Sequence, residues 1–417
     1  MDKYKKILVI CYNPLSRSNS NGRTLQNLLY NYPQEKIMQL YFENSLPDSE
    51  TIVNDFYRIT DRDVLKNFFS KNKGRILQKK NDITTRENKI LDHIQKNRLN
   101  NFYRLIRNLM WILNFTNNSK LEKWIHEGNP DYILLMSGNN PFIDKIALRI
   151  KKKFKLPIVL YNCEDYYLKV KPKNWFALLS RAISDNYFKK IMRASLISIY
   201  NSEELKESFS LQFRHKSIII HNPSELIFKR YQINDTCRKI SYIGNISNSR
   251  HESLTLVADE LSKYGLKLDV YGNIQNPEAR ELLLNNQNII YHGVVSYNES
   301  ISALENSDIV IHAESFDKKR ERDLKHAFST KVADTLMLGA CFFVYAPATL
   351  AVTKYLIAEQ AACVATSRIE LTNKLKELVL NRETRELYSL QAYNCALKNH
   401  SILSASEKYR NMILENI

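Results

Sequence analysis

The sequence predicts an α/β protein with two parallel-sheet domains and a basic helical insert in the first domain. The chain has 417 residues, which is long for a single hydrophobic core. Short runs of β-branched and aromatic residues alternate with amphipathic segments, and this alternation is typical of βα units around a parallel sheet. The alternation begins a second time after a polar stretch at residues 228–239. Two domains of similar size are therefore expected.

The predicted strands of the first domain, residues 1–225, follow one another at intervals that leave room for helices. The runs are KILVICY (6–12), DYILLMSG (131–138), PIVLYNCED (157–165), SLISIYNS (195–202) and SIIIHNP (217–223). The first run is interpreted as a strand and not as a secretion signal, because its short apolar core leads into Asn13 and Pro14 without a small-residue cleavage site.

The second domain is predicted over residues 226–395. Its strand runs are ISYIGN (240–245), LKLDVYGN (266–273), NIIYHGVV (288–295), DIVIHAES (308–315), ACFFVYAP (340–347) and AACVAT (361–366). Residues 396–417 are expected to form a C-terminal helix that packs back on the first domain.

Charge and composition limit the functional class. Lys and Arg number 61 against 44 Asp and Glu, an excess of 17, which favours a nucleic acid, a phosphorylated ligand or an acidic membrane surface as partner. No apolar run reaches the roughly 18 residues of a membrane span, so a soluble or peripheral protein is expected. Six cysteines lack metal-ligand spacing, and Cys11, Cys163 and Cys341 lie in apolar runs typical of buried free thiols in a reducing cytoplasm.

The insert in the first domain covers about residues 62–120 and is strongly basic. Twelve Lys and Arg stand between Lys66 and Arg107 against three acidic residues. The following helix is predicted to carry one apolar stripe made of Leu99, Phe102, Tyr103, Ile106, Leu109, Met110 and Leu113. Arg98, Arg104 and Arg107 lie on or beside its other face, with Trp111 embedded. Two interpretations stay open: an interfacial anchor that binds an anionic membrane surface through residues 66–113, or a surface helix packed on its own domain.

Candidate chemistry is expected beyond the carboxyl ends of the strands, where open α/β sheets bind ligands. After ISYIG, a loop leads to Arg250 at the start of a helix. Such a loop can turn backbone N–H groups toward a phosphate, and Arg250 adds charge and two-pronged hydrogen bonding. Ordinary turn chemistry is the alternative explanation for this loop.

A second candidate lies in FSTKVAD, residues 328–334. Ser329 or Thr330 can cap a helix whose first turn holds Lys331, so free N–H groups, the helix dipole and an ammonium group meet where a diphosphate could bind. Asp334 follows on the same face, and a carboxylate is a common partner of ribose hydroxyls. An ordinary helix start with incidental charges is the alternative.

The ordered motifs resemble those of a GT-B-fold glycosyltransferase of the family 4 type found in bacterial capsule and lipopolysaccharide synthesis. They are YIGNISNSR (242–250), DVYGN (269–273), YHGVVSYNE (291–299), SDIVIHAESF (307–316), FSTKVADTLMLGA (328–340) and YAPATLAVTKYL (345–356), with NGRT (21–24) and NPDYILLMSGNN (129–140) in the first domain. The resemblance implies two Rossmann-like domains facing a cleft, with the donor sugar nucleotide in the second domain.

The resemblance also implies roles for individual residues, taken motif by motif. Arg250, Lys331 and Glu314 are the catalytic candidates, with Arg250 and Lys331 on the diphosphate and Glu314 near the sugar. The remaining donor-binding candidates are Gly22, Gly244, Asn245, Gly272, Asn273, His292, Gly293, Asp334, Ala351 and Val352. Many family members carry two glutamates eight positions apart, whereas this chain has His326 and Asp334 there.

The acceptor-side candidates are Asn139, Glu164 and Asp165, which end strands of the first domain. The family's usual stereochemistry is retention, with the leaving diphosphate thought to act as base, so charge stabilisation by Arg250 and Lys331 is expected to be the larger catalytic effect. No metal cofactor is expected, because the chain has no Asp-x-Asp motif and no His/Cys cluster.

The sequence thus predicts a glycosyltransferase that moves a sugar from a nucleoside diphosphate donor to a glycan or lipid-linked glycan during surface polysaccharide synthesis. A cytoplasmic position, peripheral at the inner face of the bacterial cell membrane, is expected. An oxidoreductase with a nucleotide cofactor is the first rival, but the sequence lacks GxGxxG after every strand. A non-enzymatic basic protein that binds nucleic acid or membrane is the second, and no recognised nucleic-acid-binding module supports it.

Overall fold

The chain forms two compact units in a computed structural model. The described residues are 4–17, 19–66, 72–78, 101–114, 118–165, 167, 174–226 and 233–417. Unit 1 comprises Met1–Ile220 together with Ser406–Ile417, and unit 2 comprises His221–Ala405.

Unit 1 is built on an eight-stranded sheet. Its strands are β1 (Ile7–Cys11), β2 (Ile37–Tyr41), β3 (Asp55–Arg58), β4 (Arg75–Gln78), β5 (Tyr132–Met136), β6 (Ile158–Asn162), β7 (Ile197–Tyr200) and β8 (Ser217–Ile219), in the order β4-β3-β2-β1-β5-β6-β7-β8. All neighbouring strands are parallel except β3 and β4. The sequence did not predict β2, β3 and β4, whose short runs lie close to the basic insert.

The helices of unit 1 flank this sheet. They are α1 (Ser20–Leu28), a 3-10 turn (Gln34–Lys36), α2 (Asp61–Lys66), α3 (Asn101–Asn114), α4 (Ser119–Gly128), α5 (Pro141–Phe154), α6 (Trp175–Ala194) and α7 (Glu203–Ser210). The last helix of the chain, α16 (Ile402–Asn416), contributes its final turns to unit 1. There the Tyr409 hydroxyl lies 2.8 Å from the hydroxyl of Tyr132 in the core.

Unit 2 contains a six-stranded, wholly parallel sheet. Its strands are β9 (Ile240–Ile243), β10 (Leu268–Tyr271), β11 (Ile289–Gly293), β12 (Ile309–Ala313), β13 (Phe342–Tyr345) and β14 (Cys363–Ala365), in the order β11-β10-β9-β12-β13-β14. From β9 the strands follow one another toward one edge of the sheet, and from β12 they follow one another toward the other edge. The position between β9 and β12 is therefore a topological switch point, which is where doubly wound sheets bind ligands.

The helices of unit 2 connect the strands in turn. They are α8 (Arg250–Ser262), α9 (Pro277–Asn285), α10 (Tyr297–Glu305), α11 (Lys318–Leu324), α12 (Thr330–Met337), α13 (Ala351–Ala358), α14 (Arg368–Leu380) and α15 (Arg382–Asn399). Strands such as β9 and β13 are buried along their whole length, because helices cover both faces of the sheet.

The amphipathic helix of the predicted insert is present as α3, but two of its residues have a different role from the one expected. Trp111 is fully buried between Phe42 and Phe142, and its Nε1 donates to Asp61 Oδ1 at 2.7 Å. Arg107 forms an ion pair with the same carboxylate at 2.9 Å. Both side chains therefore hold α3 to the core and do not anchor it in a membrane. Most of the basic stretch before α3, residues 67–71 and 79–100, lies outside the described residues.

The cysteines and the membrane prediction can be examined directly. All six cysteines are free, and Cys11 and Cys341 are buried as predicted, whereas Cys163 is half-buried. In the part of the chain that the structure describes, no helix combines the length and the apolar character needed to cross a membrane.

Candidate functional site

The predicted donor-binding residues of unit 2 all lie at the carboxyl end of its sheet. Gly244 and Asn245 follow β9, Glu314 follows β12, and α8 begins at Arg250. The other candidates are Gly272 and Asn273 after β10, His292 and Gly293 at the end of β11, Lys331 and Asp334 in α12, and Ala351 and Val352 at the start of α13. The fold thus collects residues spread over more than one hundred positions at one edge.

Main-chain hydrogen bonds join three neighbouring loops at this edge. Gly244 N–H donates to Tyr271 O at 2.9 Å, and Gly272 N–H donates to Gly293 O at 2.7 Å. Gly272 has φ +147°, and a Cβ atom there would lie 1.7 Å from the Gly244 carbonyl oxygen, so only glycine fits. The N–H groups of Gly244 and Gly272 are therefore used within the protein and do not point at a phosphate.

An aromatic pair lies at the ends of β10 and β11, beside the donor-binding candidates Gly272 and Gly293. Strand β11 bulges against β10 so that His292 stacks on Tyr271, with ring centroids 4.2 Å apart and planes 6° from parallel. His292 Nε2 lies 2.5 Å from Asp269 Oδ1, which fixes the ring orientation. Bulges of this kind re-aim side chains beside functional sites.

Arg250 and Glu314 form a bidentate ion pair at the switch point between β9 and β12. Arg250 Nε and Nη2 donate to the two carboxylate oxygens at 2.8 and 2.7 Å, and the side chains are only 15% and 5% exposed. Ser253 Oγ donates to the Glu314 carbonyl, and Glu314 N–H donates to Tyr345 O, which holds the glutamate backbone in place. Glu314, expected near the sugar, binds the guanidinium instead and cancels much of its charge.

His312 belongs to the same cluster, although the sequence reasoning did not select it. Its Nε2 lies 3.4 Å from Glu314 Oε1, a long contact compared with those from Arg250. Burial alone would raise the pKa of Glu314, but hydrogen bonding by His312 and the charge of Arg250 outweigh it and lower the pKa to about 2. We regard Arg250 as the stronger partner because its two contacts are shorter. The available sequence signal was the i, i+2 spacing of His312 in β12 and Glu314 directly after it.

The start of α8 carries unusual backbone geometry that sequence reasoning also missed. Asn248 and Ser249 both have positive φ, 56° and 60°, directly before Arg250. No side chain caps the N-terminus of α8. Left-handed backbone in residues other than glycine is costly and concentrates at functional sites, so this turn belongs with the candidate site.

Lys331 and Asp334 lie in the first turns of α12, as predicted. Ser329 is the capping residue, and its Oγ accepts from Lys331 N–H at 3.3 Å. Asp334 is buried, and its Oδ1 accepts from Ser224 Oγ at 2.8 Å. A ribose bound by Asp334 would therefore share the carboxylate with Ser224. His326, at the position of the first family glutamate, is also buried.

The segment before α12 contains the short helix α11, Lys318–Leu324. The basic run at 318–326 forms α11, and Glu321 on it accepts from Thr349 Oγ1 at 2.5 Å. Ala351 N–H donates to the Lys325 carbonyl at 2.8 Å. The Ala351 N–H, expected to face a phosphate, is thus used to attach the loop after β13 to this segment.

In unit 1 the acceptor-side candidates follow the adjacent strands β5 and β6, Asn139 after β5 and Glu164 and Asp165 after β6. Gly22 lies in α1 after β1, where a Cβ would lie 2.3 Å from the Pro14 carbonyl oxygen, so close packing within the loop accounts for the glycine.

A further acid at this edge was not predicted. Asp144, in the first turn of α5, accepts from Ser137 Oγ at 3.0 Å, and burial raises its pKa to about 7. Within the described residues, no group of three His, Cys, Asp or Glu side chains is arranged to hold a metal ion.

The comparisons with known proteins agree with this architecture. A family model described as glycosyl transferase-like matches residues 250–409. The fold is similar to sucrose-phosphate synthase from Thermosynechococcus elongatus, with TM-score 0.64, 8% identity and 99% of each chain covered. It is also similar to HepE from Anabaena in complex with UDP and glucose, with TM-score 0.63, 11% identity, and 98% and 99% of the chains covered.

WaaG, a glycosyltransferase involved in lipopolysaccharide biosynthesis, is a third similar structure, with TM-score 0.56, 12% identity, and 98% and 99% coverage. No curated protein sequence matches the chain. Residues 250–409 thus match a glycosyl transferase-like family in sequence, and the fold of the chain is the GT-B fold of the solved structures named here. Membership of family 4 stays a prediction.

Proposed function

We propose that the protein transfers a sugar from a nucleoside diphosphate sugar, uridine- or guanosine-based, to a glycan or lipid-linked glycan acceptor, with retention. Similar structures contain UDP with glucose or UDP-glucose, which supports this class of donor. The observation that carries the proposal is the buried ion pair of Arg250 and Glu314 at the switch point between β9 and β12 of the unit 2 sheet.

The leaving diphosphate is the group that this edge is proposed to stabilise. Negative charge grows on it as the sugar departs, and fixed positive charge lowers the barrier most where charge develops. Glu314 already neutralises Arg250, so Lys331 and the N-terminus of α12 supply the larger part of the positive field. Arg250 Nη1 donates to the Asn245 carbonyl at 3.0 Å, which holds the loop after β9 against the arginine side chain.

The acceptor is proposed to bind unit 1 near Asn139, Glu164 and Asp165. Surface polysaccharide synthesis at the inner face of a bacterial membrane is the proposed setting, supported by the motif resemblance and by the stated role of WaaG. No metal cofactor is invoked.

Donor binding tests the proposal. A thermal-shift series with UDP-, GDP- and ADP-sugars should show one class that stabilises the protein, because a ligand that binds only the folded state stabilises by RT ln(1 + [L]/Kd). Calorimetry with that donor should give a Kd about 10- to 100-fold weaker for Lys331→Ala, since charge-assisted hydrogen bonds contribute about 1.5–3 kcal/mol.

Lys354→Ala is the matched control, because Lys354 is exposed on the neighbouring helix α13. Equal donor affinity in the two variants, with unchanged circular dichroism, would remove Lys331 from the site. A series without any stabilising sugar nucleotide would contradict the donor assignment.

A further inference from the structure

Helix α3 exposes a group of apolar side chains on the side away from the core. Phe102, Tyr103, Ile106 and Leu113 share one side of the helix and are 43% to 67% exposed. The opposite side is buried and includes a polar residue, Asn108, whose side-chain amide has no hydrogen-bond partner in the structure. The buried side also carries Leu105 and Trp111, so α3 is apolar on two sides, whereas an ordinary surface helix has a single apolar stripe toward the core.

Helix α6 extends the same apolar surface. Trp175, Leu178 and Leu179 occupy one side of its first turns and are 38% to 63% exposed. The Phe102 ring packs against Phe176 with centroids 5.1 Å apart, which joins the two helices. The seven exposed residues Phe102, Tyr103, Ile106, Leu113, Trp175, Leu178 and Leu179 are called the α3–α6 face below.

Single exposed apolar side chains need no explanation, but a contiguous group of this size marks an interaction surface. The α3–α6 face also contains a Trp and a Tyr. These residues favour the boundary between water and lipid, because each has an apolar body and a polar tip.

The net charge of the chain lies entirely in the unit that carries this face. Unit 1 has 40 Lys and Arg against 23 Asp and Glu, an excess of 17. Unit 2 has 21 of each and is neutral. The family match begins at residue 250 and covers most of unit 2, so the excess charge does not belong to the unit that is proposed to bind the nucleotide.

We propose that the α3–α6 face lies on the surface of a bilayer that contains acidic lipids. The apolar side chains would enter the headgroup and acyl boundary, and the net positive charge of unit 1 would be drawn to the anionic headgroups. A second copy of the chain is the less favourable occupant, because two units with an excess of 17 positive charges repel each other. The inference deepens the proposed function, since a lipid-linked acceptor is presented at that surface.

The structure also changes which residues should be altered to test membrane binding. Arg107 is paired with Asp61, and Arg104 Nη2 contacts the Asn139 carbonyl at 3.4 Å, so neutralising these arginines would disturb unit 1 itself. Replacing exposed apolar side chains avoids this difficulty.

The test variant is Ile106→Gln, Leu113→Gln and Leu178→Gln in the full-length chain. Binding to vesicles of phosphatidylglycerol and phosphatidylcholine is measured by co-sedimentation. Each half-exposed apolar side chain removed from the boundary is expected to weaken partitioning about fivefold, so the three together should lower it on the order of 100-fold. Wild-type binding should also weaken on vesicles of phosphatidylcholine alone and at raised salt.

The matched control carries Leu211→Gln, Ile369→Gln and Leu380→Gln, three apolar residues outside the face that are 63% to 89% exposed. Its partitioning should stay within about twofold of the wild-type value. Wild-type binding that is absent, or equal partitioning of the two variants, would overturn the proposal. Two further outcomes would overturn the proposal: a dimer that becomes a monomer in light scattering only in the test variant, or a lower unfolding temperature in the test variant than in the control. Either result would mean that another protein surface covers the α3–α6 face.

Donor affinity, measured by calorimetry on the same proteins, separates this inference from the proposed function. The test variant is expected to keep the wild-type Kd for the sugar nucleotide, because the family match and the candidate donor residues of the sheet edge lie outside the α3–α6 face. Vesicle binding without any donor binding would contradict the proposed function, but it would agree with the proposal that the α3–α6 face binds a membrane.

Discussion

Replacing Glu314 by Gln should destabilise unit 2 strongly, because it leaves a buried guanidinium without its counter-charge. Arg250 makes two contacts of 2.7 and 2.8 Å with this carboxylate, and its side chain is 15% exposed. Removing one partner of a buried ion pair usually costs about 3–5 kcal/mol.

The pKa of Glu314 gives a second route to the magnitude. Its pKa falls from 4.5 to about 2, despite burial, because of His312 and Arg250. A shift of that size corresponds to about 3 kcal/mol that favours the folded state. The folded pKa is depressed, so this stability is fully present above about pH 4.5 and is lost as the pH falls toward about 2. In the Glu314→Gln variant, unit 2 should therefore be less stable at neutral pH, and its free energy of unfolding should no longer fall between about pH 4.5 and pH 2 because of this group.

Differential scanning calorimetry at neutral pH measures the effect as a fall in the Tm of the unit 2 transition. A loss of about 3 kcal/mol corresponds to a fall of about 6–12 °C for a unit of this size. Glu260→Gln is the matched control, because the side chain of Glu260 is as buried as that of Glu314. Its partners Lys263 and Arg368 are about half exposed, so water can still solvate their charges when the carboxylate is removed. If the two variants fell by the same amount, the ion pair at the switch point would not have the energetic role assigned to it.

Two further predictions concern buried titratable groups. Burial, and then the charge of His221, lower the pKa of His400 from 6.5 to about 3. The contribution of the neutral imidazole to the free energy of unfolding is therefore fully present above pH 6.5, and it falls by about 1.4 kcal/mol for each pH unit below that value. His400→Gln should flatten the decrease in Tm between about pH 6.5 and pH 4.5, and a parallel decrease in both proteins would contradict the assignment. Burial raises the pKa of Asp144 from 3.8 to about 7, so its folded state loses stability as the pH rises through that interval. Asp144→Asn should raise the Tm at about pH 8 and not at about pH 4, and a pH-independent change would point to packing instead.

Much of the fold follows from the sequence because parallel strands buried on both faces leave near-continuous apolar runs. Strands β9, β12, β13 and β14 are visible in this way, whereas β10 and β11 are partly exposed and were found from their β-branched and aromatic residues. The strand order follows from doubly wound topology once the fold class is recognised. Strands β2 to β4 were missed, because Ile37–Tyr41 and its neighbours are short and stand among polar and charged residues.

The direction in which α3 faces could not be predicted from its pattern. An apolar stripe gives the same helical periodicity whether it faces a core or a lipid surface. The sequence left Trp111 either in a membrane anchor or in a helix packed on its own domain, and the hydrogen bond to Asp61, fifty residues earlier, holds it in the core. Such a contact has no local sequence signal.

The candidate site shows the same limit. The position of most donor candidates was predictable, because they end or follow a recognisable strand, whereas Lys331 and Asp334 follow helix α11. The pairing of Arg250 with Glu314 was not, since 64 residues separate them and nothing local indicates which cation a buried glutamate will bind. The use of the Gly244 and Ala351 N–H groups within the protein likewise depends on neighbouring loops.

The most direct test of the central claim is hydrogen exchange of the full-length protein with and without its sugar nucleotide. Exchange should slow in residues 244–250 and 271–273, where hydrogen bonds join the loops after β9 and β10, and in residues 330–334 at the start of α12. Slowed exchange only in unit 1, or none anywhere under saturating donor, would contradict the assignment of this edge as the donor site.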